Sequence, residues 1–128
     1  MAVVKGGDIR QCTINGREFD VKGADANVNI DLGGFANEAS LNGNGSLSVL
    51  QRRKMAGFSD LPLMIDDERE DLEFLQDIAN AGLTVPVNLT LASGVTYSGA
   101  LMVIGDIMKA TGDGSATLEM RGAKFEQI

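Results

Sequence analysis

Val85–Ile104, VPVNLTLASGVTYSGALMVI, decides the fold. Val85, Val87, Leu89 and Leu91 fall on one face, and Pro86, Asn88 and Thr90 on the other. Ser93-Gly94 supplies a turn, and Val95, Tyr97, Gly99, Leu101 and Val103 carry the pattern back. Period-two alternation of β-branched and aromatic residues around a glycine-containing turn is the signature of a β-hairpin. Past Gly99 the second face turns apolar, with Ala100, Met102 and Ile104 replacing Thr96 and Ser98. A strand that is apolar on both faces needs cover from its own core and from a second surface.

Working outward, Asn15-Gly16 between Ile9–Ile14 and Arg17–Lys22 predicts another hairpin, because Asn-Gly adopts the two positive-φ positions of a type I′ turn. Ala26, Val28, Ile30 and Leu32 alternate with Asn27, Asn29 and Asp31, which predicts a third strand ended by Gly33-Gly34. Phe35–Leu41 has no clear period and Asn42–Gly45 reads as a turn. Ser46–Leu50 predicts a short strand, and Gln51–Asp60, with neither period, reads as a projecting loop. Leu61–Ile65 alternates again, with Pro62 pointing to a sheet edge.

About residues 67–81 form the single expected helix. Asp66 or Asp67 is positioned to cap it, Asp67 with Glu70 has capping-box spacing, and Gly82 ends it. Leu72, Leu75, Ile78 and Ala79 make its apolar stripe, flanked by Phe74. Lys109–Gly114 reads as a loop. In Ser115–Phe125 the apolar phase moves from even to odd positions at Gly122, which predicts a bulge there. The fold class expected is mainly β (α+β): a single domain over 1–128, a sandwich or barrel of seven or eight strands with one flanking helix.

Composition narrows the function. The 128 residues include 11 basic and 18 acidic ones, a net charge of −7, which argues against a standing nucleic-acid or anionic-membrane binder. Without histidine, the commonest general base, the Ser-His and Cys-His nucleophile pairs and histidine metal sites are all excluded. No apolar run approaches the length of a membrane helix. The single Cys12 and the start MAVVKGGD, which lacks a leader's apolar run, predict synthesis in a reducing cytoplasm. Cys12 itself reads as a small core residue.

Seven carboxylates crowd Asp66–Asp77, where capping and the helix macrodipole already favour acids, and the fixed spacing of a calcium loop is absent. The glycine-rich turns 42–45 and 112–114 lack the flanks of a phosphate loop. No catalytic, cofactor or metal site is expected. Arg52, Arg53 and Lys54 form the densest basic run, suited to an acidic helix region on a neighbouring copy. Met55 and Phe58 beside them, like Met102 and Ile104, are apolar residues that call for a partner surface.

The order of elements is distinctive. An Asn-Gly hairpin, an alternating strand, NEASLNGNGS and a basic loop precede IDDEREDLEFLQ, VPVNLTLASGVTYSGALMVIGDI and ATLEMRGAKFEQI. Over about residues 8–128, in phrases such as TLASGVTYSG and GAKFEQI, the chain resembles the short Mu-like tail tube proteins of contractile-tailed phages. That resemblance implies a structural, non-enzymatic virion subunit without cofactor, made in the host cytoplasm. Six copies would join their sheets into a ring, and rings would stack into a hollow tube. The implied partners are other copies of the chain, the sheath, the tape measure protein, a baseplate tube initiator and a tail terminator. DNA would pass through the lumen unbound. A ring of six copies of a −7 chain would repel phosphates, so a polyanion would slide through it. Lumen-facing candidates are Asn27, Asn29, Asp31, Ser46 and Ser48, with Asn88, Thr90, Thr96 and Ser98 competing. The alternatives are a phage-derived contractile machine, such as an R-type bacteriocin or type VI-like tube, and a small ligand-binding β-barrel.

Overall fold

The computed structural model describes residues 7, 9–23 and 27–128. The first hairpin forms as its sequence dictates. Asn15 and Gly16 take φ of 50° and 83° between β1 (Gln11–Ile14) and β2 (Arg17–Phe19), with Ile14 opposite Arg17. The third strand is shorter than expected, β3 being Asn29–Asp31. Ala26 lies outside the described residues, and Leu32 is exposed instead of continuing the inward pattern.

The largest departure lies between residues 34 and 64. Phe35–Leu41 belongs to β4 (Gly34–Leu41), and the expected strand Ser46–Leu50 is the start of a longer β5 (Leu47–Lys54). The expected loop Gln51–Asp60 is the rest of β5 and the start of β6 (Ala56–Met64), which takes in most of the expected strand Leu61–Ile65. The second half of β5 escapes a pattern reading because the strand is solvent-exposed along its whole length, so no core selects alternate residues. In β6 the alternation is broken by a bulge: Leu118 faces Leu61 but Met120 faces Phe58, so Ser59 and Asp60 stand against Glu119 alone, one extra residue on β6. Asp60 takes φ 59° there. Pro62 is not on an edge strand. Its backbone faces the sparsely paired side, where its carbonyl accepts from Lys22 N–H, so its missing donor costs no bond to the long neighbouring strand.

Helix α1 (Asp71–Ala81) starts four residues later than its acids suggest. Asp66–Glu70 is a turn in which the Asp66 carboxylate accepts from Glu68 N–H. The N-cap is Glu70, at φ 56° and with no side-chain cap, so neither Asp66 nor Asp67 caps the helix and no capping box forms. The first turn is held from the side instead. Asp71 is 1% exposed, accepts from Asp66 N–H at 3.0 Å and pairs with Arg17 at 3.1 Å. Gly82 ends the helix as expected, at φ 65°, its N–H donating to the Ala79 carbonyl.

The central hairpin is β7 (Val85–Thr90) and β8 (Thr96–Ile104), from Val85 opposite Leu101 to Thr90 opposite Thr96. The Lys109–Gly114 loop contains a short β9 (Lys109–Ala110) against the start of β10 (Ser115–Gly122). The chain closes with β11 (Glu126–Gln127) along β8. Arg121 faces Met102 and Glu126 faces Ser98, so five steps on the closing segment match four on β8. That is the irregularity expected near Gly122.

The long sheet runs β2-β1-β7-β8-β10-β6-β3, with β11 added on β8 and β9 on β10. An isolated Val21–Leu63 bridge brings the end of the first hairpin towards β6, but the sheet is not a closed barrel. Ile30, Phe58, Met120 and Val103 form one cross-strand row on the inner face. Cys12, Ile14, Leu89 and Leu101 extend that core, and α1 adds Leu75 and Ile78. Phe125 packs against Phe58 and stacks on Tyr97, with ring centroids 6.0 and 5.9 Å away. Burial pushes the Cys12 thiol up to about 12, consistent with an inert core residue.

Candidate functional site: a projecting two-stranded arm

β4 and β5 pair over eight positions, from Gly34–Lys54 at the base to Leu41–Leu47 at the tip, and with no other strand among the described residues. At about 3.4 Å per residue this ribbon is about 27 Å long. Every residue in both strands is exposed. A lone two-stranded ribbon is marginal in water, and both of its edges offer unpaired backbone groups. Such an element calls for a partner.

Register sorts its side chains onto two faces, because directly opposed residues share a face. One carries Leu41 and Leu47 at the tip, then Ala39 and Val49, Asn37 and Gln51, and finally Phe35 and Arg53. The other carries Ser40 and Ser48, Glu38 and Leu50, Ala36 and Arg52, and Lys54. On this second face Arg52 lies 3.4 Å from Glu38, and Lys54 lies 3.0 Å from Asp31 at the base. Arg53 has no carboxylate partner among the described residues and sits over the Phe35 ring at 5.9 Å. The tip is ordered by its own polar groups. The Asn42 amide exchanges hydrogen bonds with Ser48 and donates to Ser46, and Asn44 accepts from Ser46.

The candidate residues therefore separate. Arg52, Arg53 and Lys54 project as expected, though on a strand instead of a loop, and Met55 at the base is 60% exposed. Phe58 does not belong with them: it is wholly buried against Phe125 and Met120, a core residue and not a contact surface. Met102 and Ile104 are half-buried on the outer face of β8 while Leu101 and Val103 point inward.

Asp31, Gly57, Arg121 and Met102 form a second cross-strand row, on the outer face. Following the ladders, Asn29 joins this face from β3, and Asn88, Thr90, Thr96 and Ser98 join it from the central hairpin. Asn29 and Asp31, from one of the two polar sets that alternation left as competitors, thus share one face of one sheet with the whole of the other set. Ser46 and Ser48 are on the arm and are not part of it, and Asn27 precedes β3 as an exposed residue. The Asp31 carboxyl is held below its ordinary range by the Gly33 N–H first, and then by Lys54.

Sequence reading found the Asn42–Gly45 turn and the start of β5 but missed the rest of the arm, because an exposed ribbon has no buried face to impose a period. The available signal was symmetry: Phe35–Leu41 and Leu47–Arg53 are equal in length about the Asn-Gly-Asn-Gly turn. Among the described residues no cluster of carboxylates and thiols has the arrangement of a metal site. The acids of 66–77 instead line the exposed flank of α1 and the turn before it, apart from the buried Asp71. No protein-family model matches the chain, and no curated protein matches its sequence.

Proposed function

We propose that this protein is a self-assembling structural subunit whose copies form hexameric rings stacked into a hollow tube, the tail tube of a contractile phage. The observation that carries this reading is the arm: eight ladder pairs, exposed on both faces, that gain stability only against another surface. The outer face of the long sheet supports it as well. Asn29, Asp31, Asn88, Thr90, Thr96 and Ser98 give one polar surface suited to a bore through which DNA slides without binding. Met102 and Ile104 lie at one end of it, where neighbouring sheets would join. In this reading the subunit has no catalytic role or cofactor. Its partners are its own copies, a sheath, a tape measure protein, a tube initiator and a terminator, and its place is the virion tail. A phage-derived contractile particle would use the same subunit in the same way.

The test is negative-stain electron microscopy of the purified protein across a concentration series, beside size-exclusion chromatography. Rings or tubes with a central pore are expected. Particles that stay monomeric at every concentration, including with an added tube initiator, would overturn the proposal. Met102→Asp, on the outer face, should leave the subunit folded and shorten or abolish tubes.

A further inference from the structure

We propose that the arm of one copy docks along helix α1 of a second copy, with its apolar tip in the groove between α1 and β7 and Arg53 at the helix's acidic start. This rests on the self-assembly reading and names the surface that receives the arm. Phe74, Asp77, Ile78, Ala81, Leu83 and Val85 line that groove, whose volume is about 420 Å³. It is open and apolar, with one carboxylate, and Leu83 is 66% exposed.

Three features match the arm to this groove. The first is chemistry: Leu41, Leu47 and Val49, each more than half exposed, share one face at the tip, as an apolar groove requires. The second is charge. The arm carries three cations against Glu38, a net +2 within a chain of −7, which leaves −9 on the rest. Arg52 and Lys54 are already paired within their own subunit, so Arg53 is the cation left for a partner. On α1, Glu73 and Asp77 lie one turn apart on the stripe that leads to the groove. Both are exposed, and neither has an ion-pair partner among the described residues.

The third is length. Leu47 to Arg53 is six strand residues, about 20 Å. From the groove at Ala81 back to Glu70 is eleven helical steps, about 16 Å, and the acidic turn 66–70 lies beyond it. With the tip at Ala81, Arg53 therefore passes Glu73, about 12 Å away, and reaches Glu70 and the acidic turn before it. The contact is heterologous, since arm and groove are different patches of the same molecule. Repetition builds an open stack and not a closed dimer.

The experiment mixes two variants of the full chain that each add one cysteine, Leu47→Cys and Leu83→Cys, under mild oxidation by diamide. Disulfide-linked peptides are read by mass spectrometry and assemblies by electron microscopy. Both positions are solvent-exposed, so the fold is retained, which circular dichroism checks. The expected result is a disulfide between position 47 of one chain and position 83 of another, absent when Met108→Cys replaces the groove variant. In parallel, Arg53→Glu should weaken self-association about tenfold and Glu70→Arg should restore it. Tubes that form without this interchain disulfide, or that are indifferent to Arg53→Glu, would overturn this docking and leave the tube reading standing. No assembly under any condition would overturn both.

Discussion

Replacing Arg17 by methionine should destabilise the subunit by about 3 kcal/mol, although Arg17 lies in a surface hairpin. Its guanidinium donates to the Asp71 carboxylate at 3.1 Å and to the Arg69 carbonyl at 2.9 Å, and it lies 4.1 Å above the Phe74 ring. Hydrogen bonds to a charged group contribute about 1.5–3 kcal/mol, and a partly exposed cation–π contact adds about 0.5–1 kcal/mol. Methionine keeps much of the stem's apolar cover over Phe74 but leaves the buried Asp71 carboxylate with the Asp66 N–H and, as its one remaining cation, Arg69 at 3.7 Å. Stripping one partner from a buried pair costs about 3–5 kcal/mol. The Arg17 side chain is 31% exposed, so solvent softens the loss towards the lower figure. For a chain of this length that corresponds to a fall of about 10 °C in Tm. Urea melts of the wild type, Arg17→Met, Asp71→Asn and the double variant measure it. The double variant should be less destabilised than the two single losses summed, by about 1 kcal/mol or more, because the unpaired charge is then gone. A loss below about 0.5 kcal/mol in Arg17→Met, or additive effects, would refute the view that this pair fixes the start of α1. The acidic turn 66–70 would then be held by something other than the first hairpin.

Phe58→Ala should cost about 3–5 kcal/mol by opening a cavity between Phe125 and Met120, whereas Phe35→Ala, 57% exposed on the arm, should leave Tm unchanged and weaken only assembly. Thermal melts beside sedimentation separate the two effects. Gly99→Ala would drive a Cβ into the Lys124 carbonyl oxygen and part the closing segment from β8, at a cost of about 1–3 kcal/mol. Gly43→Ala, with open space around it, serves as the neutral control in the same denaturant series. Hydrogen bonds from Ser115, then Lys22, hold the Asp113 carboxyl down at about 2. A carboxyl lowered on folding adds stability that is full above its unfolded range near 4 and fades as pH falls towards 2. The stability difference between wild type and Asp113→Asn should therefore shrink from pH 5 to pH 2, and a constant difference would contradict the assignment. Cys12, buried and raised to about 12, should react with a thiol reagent at pH 8 only at the rate of unfolding. Rapid labelling of the native protein would show an accessible thiol.

Where a residue's fate depends on its neighbours in sequence, the sequence was sufficient. Asn15-Gly16 carries its own turn geometry, and Gly82 stops the helix. The alternation of Val85–Ile104 assigns Leu101 and Val103 to the core and Met102 and Ile104 to the outer face. A single period against a single buried face is local information. The mainly β class and the missing histidine chemistry follow from the same rows of letters. Tertiary structure decided what depends on partners distant in the chain. Asp71, one acid among seven, became the buried one because the first hairpin brings Arg17 over it, so the helix begins there and not at Asp67. Phe58, read as a projecting residue, is core because a bulge at Ser59–Asp60 turns it inward. The arm beyond its turn and Ser46–Leu50 was illegible for the opposite reason. With no core against it, hydrophobicity has no side to choose, and only the ladder from Gly34–Lys54 to Leu41–Leu47 shows that the two segments are one element.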